Sequence, residues 1–240
     1  MKTIGLLGGM SWESSSEYYR MINQGVKAKL GGLHSAECVL VSLDFAEIES
    51  LQAAGNWPEA ARRMVKASRR VERAGGDFLV ICTNTMHLMA EQVARGIEIP
   101  LLHIADATAF GIQEAGLKRV GLLGTKFTME KDFYRGRLED RHQLEVVIPA
   151  EEDRELVHQV IYRELVQGEI REASREDYLE VIQRLRERGA QGIILGCTEI
   201  GLLIKQDHLT LPVFDTAAIH ARVAVQAALG EYPLGGENRD

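Results

Sequence analysis

The chain has 240 residues, 45% of them hydrophobic and 26% charged, with a formal net charge of −7. That length buries a substantial core, as one large domain or two small ones, and the acidic balance excludes nucleic acid as the main partner, because a phosphate-binding surface is basic. Cys38, Cys82 and Cys197 are odd in number, far apart and without CxxC or Cys/His ligand spacing, which points to reduced thiols in a cytoplasmic protein and to no metal site or disulfide frame.

In chain order, the first predicted strand is Thr3–Leu7, leading into the loop GGMSW at 8–12. The apolar run Ile4 to Met10 is too short and glycine-broken for a signal peptide. No stretch approaches the roughly 20 apolar residues of a membrane span, so no membrane partner is expected and the cytosol is the default location. A helix is predicted over 15–30, with Tyr18, Met21, Ile22, Val26 and Leu30 on one stripe and a stop at Gly31-Gly32. The strand Cys38–Leu43 leads to the segment EIESLQAAGNW. Asn56 then caps a helix over 57–74, with Pro58 in its first turn, Ala61, Met64, Val65 and Ala67 or Val71 inward, and Gly75-Gly76 ending it. Strand Phe78–Ile81 opens into CTNTMH at 82–87, and strand Pro100–Ile104 into HIAD at 103–106.

The remainder follows the same plan: strand Val120–Leu123 with GTKFT at 124–128, strand Leu144–Ile148, and a helix over 154–167 presenting Leu156, Val157, Val160, Ile161 and Leu165. A helix over 175–188 follows Ser174 and carries Tyr178, Val181, Ile182 and Leu185 to Gly189. Strands Gly192–Leu195 and Leu211–Phe214 end in GCTEI and FDT. Continuously apolar strands alternating with amphipathic helices predict an α/β fold with parallel sheets.

Two stretches are nearly the same words: IGLLGGMS at 4–11 and VGLLGTKF at 120–127. Ile4 aligns with Val120, 116 residues on; GGDFLVICTNT at 75–85 aligns with GAQGIILGCTE at 189–199, 114 on; IPLLH at 99–103 aligns with LPVFD at 211–215, 112 on. Three strand–loop units in register predict an internal duplication: two pseudosymmetric α/β half-domains with the active site in the cleft between them. The expected halves are 1–105, completed by 211–230, and 106–230, with 231–240 a loose tail.

At the 114-residue offset Thr83 falls on Cys197, Asn84 on Thr198 and Cys82 on Gly196. One residue of shift along a strand swaps the face, so Thr83 shares the direction of Cys197, and Cys82 points into the core. The polar loops lie at the carboxyl ends of parallel strands, where open sheets bind ligands. Helix N-termini there favour small carboxylates. Cys197, at the head of a helix beside Thr198 and Glu199, is expected to have its thiol pKa lowered. GLLGG lacks the GxGxxG order of a dinucleotide site. His87 reads as a helix-face residue or hydrogen-bond partner, with general base as the rival. Asp106 and Asp215 read as turn formers or caps, with acid/base work as the rival. Glu199 reads either as a ligand for a substrate ammonium or as a helix-start carboxylate.

The motifs GGMSWESS at 8–15, CTNTMH at 82–87, LHIADAT at 102–108, LLGTKFTM at 122–129 and GCTEIGLL at 196–203 together resemble the cofactor-independent aspartate/glutamate racemase family, over nearly the whole chain. GCTEI places it with the aspartate/glutamate branch. The resemblance implies two facing α/β halves, no cofactor such as pyridoxal phosphate, a small-molecule amino-acid substrate, a homodimer, and inversion at the α-carbon by two cysteines acting on opposite faces. This chain departs from that pattern at one wall, where Thr83 precedes Asn84-Thr85. The expected catalytic pair is therefore Cys197, as base on the L isomer, and Thr83, as opposite proton donor. A threonine alkoxide is far less accessible than a thiolate, so L-face chemistry is favoured. Substrate contacts are expected from Met10 and Ser11 through loop amides, from Asn84, Thr85, Thr125, Thr128, Thr198 and Glu199, and from Gln52 toward the distal group, with Lys126 or Lys205 as partner for a side-chain carboxylate. Two alternatives share these residues: a single-cysteine decarboxylase or isomerase on the same scaffold, and a carboxylate-binding protein without turnover.

Overall fold

The first strand, β1 (Ile4–Gly8), is buried along its whole length, as a continuously apolar strand must be when both sheet faces are covered. In the computed structural model, which describes residues 1–235, it is followed by α1 (Trp12–Leu30), β2 (Cys38–Ser42), α2 (Phe45–Ala53), α3 (Trp57–Arg73), β3 (Phe78–Ile81), a 3-10 turn at Thr85–Met89, α4 (Ala90–Arg95), β4 (Leu101–Leu102) and α5 (Ile104–Glu114). Then come β5 (Arg119–Gly124), α6 (Lys126–Glu130), α7 (Arg135–His142), β6 (Glu145–Val147), α8 (Glu151–Arg163), α9 (Glu172–Glu187), β7 (Ile193–Gly196), α10 (Ile200–Leu203), β8 (Val213–Asp215) and α11 (Thr216–Ala228). Among the described residues no helix is long and apolar enough to cross a membrane.

The strands form two parallel four-stranded sheets of the same order, β2-β1-β3-β4 and β6-β5-β7-β8. Their registers also repeat. Gly5 pairs with Leu79 as Gly121 pairs with Ile193, and Leu79 pairs with Leu101 as Ile193 pairs with Val213. These pairings reproduce the 116-, 114- and 112-residue offsets of the sequence alignment, so the duplication is a property of the backbone.

Two compact units result: residues 1–104 together with the chain from His220 onward, and residues 105–219. The returning segment is tied to the first unit by Lys2 N–H to the Ala228 carbonyl (2.9 Å) and by Lys29 with Glu231 (2.6 Å). Leu234 in the expected tail is buried; residues 236–240 lie outside the described residues.

In the first unit Leu7, Met64, Val71, Leu79 and Ile81 pack into one core with Met86 and Val93. Burying each such side chain contributes about 1.5–3 kcal/mol relative to leaving it exposed. Gly5 is required by that packing, because a Cβ there would stand 2.3 Å from Val71 Cγ1 and 2.7 Å from the Phe78 carbonyl oxygen. Gly9 has φ 85°, and its Cβ would meet the Leu43 carbonyl oxygen at 2.1 Å, so the turn after β1 admits only glycine.

Several expected helix boundaries move, with α1 starting at Trp12 and α8 at Glu151. The helix expected over 154–167 ends at Arg163 because Glu164 leaves helical geometry (φ −125°, ψ −67°), and a separate 3-10 turn covers Leu165–Gln167. Ser174 lies inside α9, which starts at Glu172. Its hydroxyl donates to Glu164 (2.6 Å) and does not cap the helix.

Candidate active site

The three residues Gly9, Met10 and Ser11 connect β1 to α1. Ser11 caps α1, its hydroxyl oxygen accepting from the Ser14 N–H (3.3 Å), while Ser15 Oγ accepts from Gly9 N–H (2.8 Å) and donates to the Ser11 carbonyl (2.9 Å). The Met10 side chain is a core member, so any contact it makes with a ligand is through its backbone. Gln52, near the end of α2, donates to Met86 Sδ (2.7 Å) and is held to its own unit's core.

After β3 the chain turns tightly. Cys82 N–H donates to the Leu7 carbonyl (3.0 Å) and Thr83 N–H to the Ile81 carbonyl (2.9 Å). Cys82 is 1% exposed and burial pushes its thiol far up, so it stays a protonated core thiol, as its face in the strand register predicts. Thr83 and Thr85 are half-buried and Asn84 is buried. His87 is buried as well and works as a hydrogen-bond partner. A carbonyl only accepts, so Nδ1–H donates to the Thr83 carbonyl (2.8 Å), and Nε2 accepts from the Ile104 N–H (3.2 Å). This fixes the neutral Nδ1–H tautomer and leaves no lone pair for the general-base role.

In the second unit the residues that follow β7 converge. Cys197 Sγ donates to Glu199 Oε2 (2.9 Å), and Thr198 Oγ1 donates to the same oxygen (2.6 Å). Enclosure of the sulfur and the facing carboxylate push the Cys197 thiol well above its ordinary value, against weaker backbone donors from Glu199 and Ile200. The expected lowering by a helix N-terminus is therefore corrected: α10 has only four residues, and a carboxylate beside the sulfur outweighs its amides. Glu199 thus accepts the hydrogen bond of the protonated Cys197 thiol.

Thr125 caps α6, accepting from the Thr128 N–H (3.3 Å), and the two hydroxyls lie 3.2 Å apart; both side chains are buried. Lys126 forms an exposed ion pair with Glu155. Asp215 accepts from the Ala217 and Ala218 N–H groups (3.0 Å each), the cap role. Burial raises its pKa, opposed by those N–H groups and by Lys205. Asp106 is clamped by Arg137 through both carboxylate oxygens (2.7 and 2.6 Å) and bonded to His142 (2.8 Å), so it ties α5 to α7.

A buried polar group in the first unit was not foreseen from the sequence. His220 Nε2–H donates to the Leu102 carbonyl (3.0 Å), which leaves Nδ1 of the neutral ring to accept from the Tyr18 hydroxyl (2.9 Å). The rings of His87 and His103 are 4.6 Å apart, and those of His87 and His220 5.8 Å. The signal lay in three histidines set among apolar residues, in CTNTMHLM, PLLHIA and AAIHA. Among the described residues no group of three or more His, Cys, Asp or Glu is arranged to hold a metal ion.

The sequence pattern of the Asp/Glu/hydantoin racemase family matches residues 7–224. A crystal structure of a Yersinia pestis protein assigned as an Asp/Glu racemase is 54% identical and superposes with a TM-score of 0.91, covering 95% of this chain and 100% of that one. An aspartate racemase homologue from Pyrococcus horikoshii OT3 is 36% identical with a TM-score of 0.84, over 95% and 100% of the two chains. The broad specificity amino-acid racemase RacX of Bacillus subtilis is 23% identical over 178 residues, 71% of this chain and 73% of its own length. The chain thus belongs to the Asp/Glu/hydantoin racemase family, and the enzyme is an isomerase of the racemase type.

Proposed function

We propose that the enzyme inverts the α-carbon of aspartate or glutamate without a cofactor, with Cys197 acting on the L isomer and Thr83 as proton donor on the opposite face. The observation that supports this reading is the repeated strand register; its 114-residue offset, continued past β3 and β7, aligns Thr83 with Cys197 in two copies of one half-domain. Enantiomers need acid/base groups on both faces of one carbon, and a duplicated half supplies them.

The proton inventory follows from the bonds around Cys197. Its S–H proton passes to Glu199, leaving a thiolate. The thiolate takes the α-proton as the C–H bond breaks, and the electron pair delocalises into the substrate carboxylate. Hydrogen-bond donors stabilise that enediolate-like state, and in this reading they come from the Met10 and Ser11 amides, Asn84, Thr85, Thr125, Thr128 and Thr198. The Thr83 hydroxyl then gives its proton to the other face and is reprotonated from solvent, while Glu199 releases the thiol's proton to solvent, so one proton enters and one leaves per turnover. Because enantiomers have equal free energy, full inversion is equally efficient both ways. The asymmetry lies in α-proton exchange without inversion, which a thiolate supports and a threonine hydroxyl does not. Likeness to the Yersinia protein assigned as an Asp/Glu racemase and to the Pyrococcus aspartate racemase homologue supports aspartate or glutamate, whereas the broad specificity in the name of RacX leaves room for other amino acids; Gln52 is the residue we place near the distal group. A cytoplasmic homodimer completes the reading, checked by light scattering of the purified protein.

The test is to incubate the enzyme with L- and D-aspartate and L- and D-glutamate in deuterated buffer, following the α-proton by NMR and chirality by chromatography, beside Cys197→Ala and Thr83→Ala. Wash-out from L isomers that Cys197→Ala abolishes, with slow exchange from D isomers, supports the reading. Equal exchange from both enantiomers overturns the Thr83 assignment. Carbon dioxide release points to a decarboxylase, and binding without exchange points to a protein that holds carboxylates without turnover.

A further inference from the structure

We propose that His87 is a positioning residue for the proton-donating wall: it fixes the backbone at Thr83 and so aims the Thr83 hydroxyl. The inference rests on the function proposed above. Thr83 is held on both sides, by its N–H to the Ile81 carbonyl (2.9 Å) and by its carbonyl accepting from His87 Nδ1–H (2.8 Å). A threonine side chain has essentially one free torsion, so clamping the backbone at both ends sets where Oγ1 can stand. His87 is in turn anchored by the Ile104 N–H on Nε2 (3.2 Å), at the first residue of α5. One ring thus links the loop after β3 to the helix after β4.

The second half-domain shows that the scaffold does not need this ring. At the 114-residue offset that relates Thr83 to Cys197, His87 corresponds to Gly201. A Cβ there would lie 2.8 Å from Asp215 Oδ2, so in that half the place of the side chain is filled by a carboxylate from the strand corresponding to β4. The histidine belongs to the threonine wall alone. A hydroxyl that delivers a proton without itself becoming a useful base depends on geometry more than a thiolate does, and misplacement by about 1 Å costs on the order of a hundredfold. His87 is itself held in a buried setting, 1% exposed, with His103 and His220 around it.

The experiment compares wild type with His87→Asn, whose amide N–H reproduces the Nδ1 donor, and His87→Leu, which has no donor. For each, α-deuterium wash-out from the L isomer and net inversion are measured on one sample. His87→Leu is expected to slow inversion roughly ten- to a hundredfold while L-face exchange stays within about twofold, and His87→Asn is expected to recover most of the inversion. The L-face exchange reports that the variant is folded. If both rates fall together, or if Asn is no better than Leu, His87 is structural packing and the inference is wrong although the racemase reading stands. If wild type exchanges no α-proton from any of the four amino acids, the racemase reading fails first and takes this inference with it.

Discussion

Replacing Glu199 by glutamine removes a negative charge 2.9 Å from the Cys197 sulfur. Two unit charges at that separation interact by about 1.4 kcal/mol in bulk water and about 6 kcal/mol at an effective dielectric of about 20. Cys197 and Glu199 are both half-buried, so solvent screening keeps the effect nearer the lower figure. The thiol pKa should therefore fall once the carboxylate that raises it is gone. The sign is fixed by the structure: the carboxylate stabilises the protonated thiol, both as a charge and as the acceptor of its hydrogen bond, and the two backbone donors that favour the thiolate remain. The assay is the pH dependence of iodoacetamide alkylation in a Cys38→Ser, Cys82→Ser background, read by mass spectrometry. Glu199→Gln should move the midpoint downward and raise alkylation at pH 8, even as inversion slows for want of the internal proton acceptor. An unchanged midpoint, or one that moves upward, would show that the carboxylate does not act on the sulfur and would remove Glu199 from the proton path.

Further outcomes follow from the core and the caps. Cys82 should resist alkylation at pH 8 in the native protein and react only on unfolding, because burial holds it as a thiol; native labelling at Cys82 ahead of Cys197 would contradict the register argument. Leu79→Ala, fully buried in the first unit, should lower stability by about 2–5 kcal/mol in urea unfolding, and a loss under 1 kcal/mol would mean that the core collapses around the gap. Tyr18→Phe deletes the donor to His220 and should cost about 1 kcal/mol, with the imidazole nitrogen shifts of His220 changing in parallel; unchanged shifts would speak against the assigned tautomer. Asp106→Asn breaks the two-oxygen clamp of Arg137 and the bond to His142, for an expected loss of about 1–3 kcal/mol in thermal melts; no change would make the cluster a surface feature.

The sheets were legible because the strands are short apolar runs buried on both faces, a pattern few other elements share. The repeat was legible because glycine is dictated at Gly5 and Gly121 by close helix packing, so the two copies stayed alike in wording. The short helices after the polar loops were hidden. Helices α6 and α10 have five and four residues, too few for any 3.6-residue period, and α6 is held by a threonine cap more than by an apolar stripe. The placement of Thr83 and Cys197 at one point of the repeat was readable from spacing alone. The protonation of Cys197 was not, since it depends on a Glu199 rotamer that aims the carboxylate at the sulfur. The histidine network was not readable either, because its members come from positions 18, 87, 103 and 220 and meet only through the fold.

The first half-domain is discontinuous in the chain. Its last helical segment, from His220, is synthesised after every residue of the second half. On the ribosome this inverts the usual order in which the N-terminal domain is completed first. Residues 105–219 can close their sheet as soon as they emerge, while residues 1–104 wait with the partner position of Tyr18 unfilled until His220 arrives. A nascent chain stalled before residue 220 thus holds every strand of both sheets, while the Tyr18–His220 bond of the first half awaits the end of synthesis.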